Sequence, residues 1–336
     1  MMKDQEDRFR TRVSIPDPVF RLSYQTATML MGSCFTASVG ENMVRYKFPA
    51  RYNPFGVLYN PASVSAGLRL LMEGRRFTGE DLVFHDGLWV SLDHHSAFSH
   101  RDRDTCLENI NRSLEESARF LQKCDYLFLT FGTSWIYEYR NSGKVAANCH
   151  KIPSAEFDRK LLQTAEIVAD YRRLMQELEA FHPGLRVIFT VSPVRHLKDG
   201  FFSNQVSKSM LLLSVHQLLE DHAQMHYFPA YEIFMDELRD YRFYADDMLH
   251  PSAAGVDYVW DRFCETYFGE EAKKTMAGVE RIQKAVNHRP FQAESTAYLT
   301  FVDNTLRQMD ALQKNFPFLD FSPEKSRLSA LKKDIR

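Results

Sequence analysis

The 336-residue chain is long enough for one large domain, or a domain with a smaller appended unit, so a small disulfide-stapled scaffold is excluded. Its 42 Lys and Arg residues against 44 Asp and Glu give a formal charge of −2, without the basic excess that nucleic-acid binding draws on. With 44% hydrophobic, 13% aromatic and 26% charged residues, the composition is that of a soluble globular protein and not of a disordered chain.

Short apolar runs alternate with segments of helical periodicity, which predicts an α/β architecture with a largely parallel sheet. The first strand is expected at Ala27 to Met31, followed by the tight turn Gly32-Ser33-Cys34 and a helix carrying Phe35, Val39 and Met43. Asn60 as N-cap and Pro61 as first helical residue announce a second helix with Val64, Leu68 and Leu71 on one face. An irregular stretch from Phe77 to Asp104, with a short hairpin around Trp89, leads to a helix from Thr105 to Lys123. A buried strand at Tyr126 to Thr130 stops at Gly132-Thr133-Ser134-Trp135, and Glu138 to Ile152 reads as a long loop or hairpin. After a helix with Ile167, Tyr171, Leu174 and Leu178 on one side comes the strand Val187 to Val191, then a helix from Ser207 to His222. A short strand at Met225 to Phe228 and an acidic helix precede Asp246 to Pro251, and Ser252 caps one more helix. The strand signals end near Gly269, which predicts a division into a 1–269 α/β domain and a 270–336 helical extension with a polar break at Asn287 to Pro290. Leu299, Val302, Leu306 and Met309 form an apolar helical face, from which a homodimer through the extension is expected.

Five cysteines without a Cys-x-x-Cys pair predict reduced thiols, since an odd number cannot close wholly into disulfides. The charged N-terminus lacks the apolar core of a secretory leader, and no run reaches the roughly 18 apolar residues of a membrane span. The expectation is a cytoplasmic protein with neither a membrane nor a nucleic-acid partner.

In an open α/β sheet, sites form at the carboxyl ends of the strands. Ser33 stands on such a turn, where backbone N–H groups can stabilise an oxyanion, although serine also serves there as a plain N-cap. Asp247-x-x-His250-Pro251 lies near the end of the α/β part, and an Asp three residues before a His can return its carboxylate to the imidazole Nδ1–H, leaving Nε2 as general base. A nucleophilic serine needs such a base. Cys34 is the competing nucleophile, but it also reads as a small apolar filler.

Four ordered segments carry a family resemblance: Met31-Gly32-Ser33-Cys34-Phe35-Thr36, Asn53-Pro54-Phe55-Gly56 with Tyr59-Asn60-Pro61, Thr130-Phe131-Gly132-Thr133-Ser134-Trp135, and Asp247-Met248-Leu249-His250-Pro251. Over residues 20 to 265 the chain resembles the GSCFA domain family, which is similar to the SGNH (GDSL-like) hydrolases. The resemblance implies a three-layer α/β/α sandwich with a parallel sheet of about five strands. It makes Ser33 the nucleophile, His250 the general base and acid, and Asp247 its orienting carboxylate. For the oxyanion hole it implies the Ser33 N–H and the Gly56 N–H. The third block normally supplies an asparagine as Gly-x-Asn, and here reads Gly132-Thr133-Ser134, so Ser134 or Asn53 is expected to substitute.

Trp135 is a candidate for stacking on a sugar or acyl group, His150 for lining the cleft, and Arg195-His196, at the end of the VIFTV strand, for contacting a polar or anionic substrate. His94, His95 and His100 with Asp93 and Asp102 could suggest a metal, but adjacent strand residues point oppositely, and no metal or organic cofactor is expected. The leading expectation is an ester hydrolase, acting through an acyl-enzyme on a small-molecule or carbohydrate ester such as an O-acetyl sugar. An acyltransferase using the same site is the nearest alternative, followed by a non-catalytic carbohydrate-binding or scaffold protein that keeps the fold.

Overall fold

The computed structural model describes residues 11–221, 224–288 and 295–334. In chain order, β1 (Thr28–Gly32) leads to α1 (Cys34–Arg45), β2 (Ala50–Tyr52) and α2 (Pro61–Met72). The hairpin β3 (Val83–His85) and β4 (Leu88–Val90) precedes α3 (Arg103–Leu121) and β5 (Tyr126–Phe131). Three further strands follow, β6 (Trp135–Tyr139), β7 (Lys144–Ala146) and β8 (Phe157–Leu161), then α4 (Thr164–Phe181), β9 (Arg186–Val191), α5 (Gly200–Asp221) and β10 (Met225–Tyr227). The chain ends in α6 (Ala253–Tyr267), α7 (Glu270–Val286), α8 (Thr296–Asn315) and α9 (Ser322–Asp334).

Five strands form one sheet in the order β10-β9-β5-β1-β2, and every neighbouring pair is parallel. The side-chain period of two sends Met29, Met31, Leu127, Leu129, Val187 and Phe189 into one apolar layer with α2, α3, α4 and α5. Leu30, Phe128 and Ile188 point the other way, into a second layer with α1 and α6. The architecture is therefore the expected three-layer α/β/α sandwich. Because all five strands run the same way, the segments after β1, β2, β5 and β9 collect at one edge.

The C-terminal helices complete the second layer. Met276, Val279 and Ile282 of α7, Val302 and Met309 of α8, and Leu328 of α9 share a core with Phe35, Val39, Val259 and Trp260. Val302 and Met309 are fully buried and Leu306 packs against that core. The face expected to pair with a second copy is thus spent inside the chain, which removes the reason for placing a dimer there.

Four local features differ from the sequence reading. β2 escaped it because Ala50-Arg51-Tyr52 is a half-buried edge strand without an apolar run. β8 escaped because charged residues occupy its centre, yet it pairs along β6 in a separate three-stranded antiparallel sheet. α5 begins at Gly200, seven residues before the expected start at Ser207. The expected acidic helix after β10 is one turn at Ala230–Glu232 that widens into a π-helical turn at Ile233–Glu237. Residues 1–10, His222 and Pro290 lie outside the described residues. Among the described residues no helix is long and apolar enough to cross a membrane.

Candidate active site

The turn after β1 is built by Gly32. Its φ of +143° belongs to glycine, and a Cβ there would stand 2.1 Å from the Thr130 carbonyl oxygen, so β1 and β5 close on each other only because no side chain intervenes. Ser33 then occupies the N-cap of α1 without making a side-chain cap bond. Its hydroxyl is fully buried and has no hydrogen-bond partner. A serine acting only as a cap would have used that oxygen on the helix N-terminus.

The backbone donors expected for an oxyanion are spent within the chain. Ser33 N–H donates to Thr130 O at 3.3 Å, and Gly56 N–H donates to Asn53 O at 2.7 Å. Gly56 owes its identity to a φ of +75° and to the His95 side chain, whose Cβ would lie 2.3 Å from an added Cβ. The Gly132 and Thr133 N–H groups both donate to Tyr59 O, at 2.8 and 2.9 Å. Ser134 is turned to α5: its N–H donates to Ser207 Oγ at 2.8 Å and its own Oγ lies 3.1 Å from that oxygen. That engagement takes Ser134 out of the donor set. Asn53 stays in it, because its Oδ1 accepts from Gly32 N–H at 2.9 Å while its Nδ2 is buried without a partner.

Asp247 and His250 form the expected pair. Asp247 Oδ2 lies 2.6 Å from His250 Nδ1, and Oδ1 accepts from the backbone N–H of both Leu249 and His250 at 2.9 Å. Met248, at φ +58°, lets the chain fold back between them. These donors, the His250 N–H foremost, hold the Asp247 carboxyl down at about 2. The pair is about half exposed, and Ser33 Oγ and His250 are not in hydrogen-bond contact. His250 is nevertheless near enough to act electrostatically on His196.

His196 lies beside Ser33. A Cβ built on Gly132 would sit 3.2 Å from His196 Nε2 and 3.4 Å from Ser33 Cβ, so both side chains converge over the end of β5. Burial first, then the Lys208 and His250 charges, depress this imidazole to about 4. The neighbouring Arg195 turns away, donating to Tyr244 Oη at 3.1 Å, and thereby ties the β9 end to the segment that carries Asp247.

A cavity of about 250 Å³ opens next to His196, lined among others by Tyr59, Trp135, Tyr137 and Lys198. Trp135 presents a buried, unpartnered Nε1 and carries the Arg159 guanidinium 4.0 Å from its ring centre. Cys149 lines the same cavity, whereas His150 uses Nε2 on Ser91 O at 2.8 Å, tying its turn to the segment after β4. His94 is buried among Phe55, Phe77 and Phe98 with Nδ1 on Ser91 Oγ. Among the described residues no group of three or more His, Cys, Asp or Glu side chains could hold a metal ion.

Lys208 was invisible to the sequence reading, where it stands on an ordinary amphipathic helix. Its fully buried ammonium donates to Gly132 O at 2.6 Å and Ser192 O at 2.5 Å, clamping the ends of β5 and β9. Both partners are neutral carbonyls, so burial depresses the amine from 10.5 to about 7. Between these values the native state binds fewer protons than the unfolded chain, so this group makes stability rise with pH. Wild-type stability minus that of Lys208→Met is expected to grow by on the order of 3 kcal/mol from pH 7 to pH 10, measured by urea unfolding. A difference that stays flat would show that the fold does not lower the Lys208 amine.

Fold and site together define a three-layer α/β/α protein with a five-stranded parallel sheet, in which Ser33 and His196 converge at the carboxyl end of β5. The GSCFA family model matches residues 27–263, and the model of the GSCFA domain protein, C-terminal domain, matches residues 279–331. The chain belongs to the GSCFA family. Comparison with curated proteins finds no match. Among solved structures, a carbohydrate esterase family 3 protein from Talaromyces cellulolyticus is similar at 11% identity, over 76% of this chain and 99% of its own, with a TM-score of 0.34. An acetyl xylan esterase from the rumen bacterium Butyrivibrio proteoclasticus is similar at 8% identity, over 73% of this chain and 64% of its own, with a TM-score of 0.36.

Proposed function

We propose that this protein is a serine hydrolase of ester bonds, with Ser33 as nucleophile, His250 as general base and acid, and Asp247 as the carboxylate that orients it. What supports the reading is the doubly anchored Asp247–His250 pair, whose charge acts on the His196 ring that converges over Gly132 with Ser33 and its unpartnered Oγ. With Nδ1–H fixed on Asp247, the tautomer leaves Nε2 unprotonated and able to accept the Ser33 proton. The bond between Oγ and Nε2 has to close as substrate enters, as catalytic hydrogen bonds commonly do.

In the first half-reaction Oγ bonds to the carbonyl carbon, its proton passes to His250, and the imidazolium returns that proton to the departing alcohol. Water, activated by the same imidazole, then releases the acid. The 250 Å³ cavity with Trp135 and Tyr59 has room for one sugar ring or a short acyl chain, below the ~300 Å³ of ordinary drug-sized pockets, which favours a small carbohydrate ester. The complete burial of Ser33 supports a second reading, discharge of the acyl group to an acceptor alcohol, since a site that excludes water favours transfer. Product analysis with and without a sugar acceptor separates the two.

The test is covalent capture. Incubation of the full chain with an alkyl fluorophosphonate is expected to add one phosphonyl group per molecule, mapped by peptide mass spectrometry to Ser33. No adduct, or an adduct on another residue, would overturn the proposal.

A further inference from the structure

We infer that His196 is a catalytic residue of this site, donating from Nε2–H, together with Asn53 Nδ2–H, to the oxyanion in place of the asparagine that the Gly132-Thr133-Ser134 block lacks. The inference rests on the ester-hydrolase reading and deepens it. It follows from asking which donors around Ser33 remain available. The N–H groups of Ser33, Gly56, Gly132, Thr133 and Ser134 all donate to acceptors within the chain. Two side-chain nitrogens beside the serine, Asn53 Nδ2 and His196 Nε2, are instead buried and unpartnered. A buried donor without an acceptor is destabilising, a cost that a bound oxygen would relieve.

The placement of His196 is built, not incidental. Its backbone N–H donates to Asn204 Oδ1 at 2.9 Å, its ring meets Tyr59 edge-on at 5.4 Å, and its Nε2 reaches over Gly132, the glycine of the defective block. Asn204 lies on α5, whose Lys208 and Ser207 grip the ends of β5 and β9, so one helix sets the imidazole, the two strand ends and the Ser134 turn. The depressed pKa near 4 leaves this imidazole uncharged through neutral pH, suited to donating a hydrogen bond and poorly suited to removing a proton. The roles of the two histidines are thereby divided: His250 moves the proton and His196 keeps its own.

The step balances without further reagents. As Ser33 Oγ bonds to the carbonyl carbon, its proton goes to His250 and the carbonyl π pair becomes the oxyanion lone pair, which accepts from His196 and Asn53. On collapse that pair re-forms the carbonyl, the bond to the leaving oxygen breaks, and His250 protonates the leaving alkoxide. Both donors retain their protons throughout.

The experiment compares wild type, His196→Ala and His196→Asn in hydrolysis of 4-nitrophenyl acetate across pH 5 to 9, with thermal unfolding to confirm the fold. His196→Ala is expected to lose about 10² to 10³ in kcat, the cost of one oxyanion donor, with KM little changed. His196→Asn, which restores an amide donor, is expected to recover part of that loss, and the pH profile of the alanine variant should keep its inflection. An unchanged kcat, a loss confined to KM, or disappearance of the inflection would overturn the assignment. An inert wild type whose Ser33 takes no fluorophosphonate would overturn the hydrolase reading and this inference with it. A wild type that turns over through Ser33 while His196→Ala matches it would overturn the inference alone.

Discussion

Ser33→Ala is expected to lower kcat for 4-nitrophenyl acetate by roughly 10⁴-fold or more, whereas Cys34→Ala should keep most of the wild-type rate. The two residues are neighbours at the start of α1, but their environments divide the roles. Burial pushes the Cys34 thiol up, outweighing the backbone hydrogen bond and the Lys208 charge that act against it, so at neutral pH it is a protonated, weak nucleophile. Ser33 needs no ionisation of its own, because a base can take its proton during attack. Its Oγ is also held free of the cap bond that would blunt it. Equal losses in both variants, with native unfolding midpoints, would instead describe a damaged turn. Loss in Cys34→Ala alone would transfer the chemistry to the thiol.

The sandwich was legible in the sequence because its central strands are buried on both faces. Thr28–Gly32, Tyr126–Phe131 and Arg186–Val191 read as apolar runs whatever packs around them. Edge strands lack that signature: β2 is held by its partner β1 and by the Arg51 contacts to Ser117 and Glu116, none of which follows from Ala50-Arg51-Tyr52 itself. Pairs close in sequence were equally legible. The Asp247–His250 bond is local, spanning three residues, and the motif alone specifies it.

Contacts between distant segments were not legible. His196 drew notice as part of a strand-end dipeptide, yet only the folded chain shows that its ring crosses from the end of β9 to Ser33 while Arg195 turns to Tyr244. Nothing in Ser207-Lys208 announces a buried ammonium, because the pattern fits an amphipathic helix equally well. The signal that could have found it is the shared polarity of Asn204, Ser207 and Lys208 on one face of a helix otherwise rich in leucine. The C-terminal helices make the same point: an apolar stripe states that a face is covered, and here the cover of α8 is the chain's own α7 and α9 within the second core layer.

Asp247→Asn is expected to reduce kcat by about 10³ to 10⁴-fold while the fold is retained. The carboxylate has two functions at once. Oδ1 closes the turn by accepting from the Leu249 and His250 N–H groups, and Oδ2 fixes Nδ1 of the imidazole. An asparagine whose carbonyl oxygen keeps the turn must present its amide to Nδ1. That amide can only donate, so it selects the tautomer with the proton on Nε2, where the base has to be unprotonated. Because Asp247 stays ionised down to about 2, it does not titrate in an assay between pH 5 and 9, so the loss is expected at every pH of that range. Rate profiles of the two proteins across that range check this. A loss below tenfold would mean that the Asp247–His250 pair shapes the turn and takes no part in moving the serine proton.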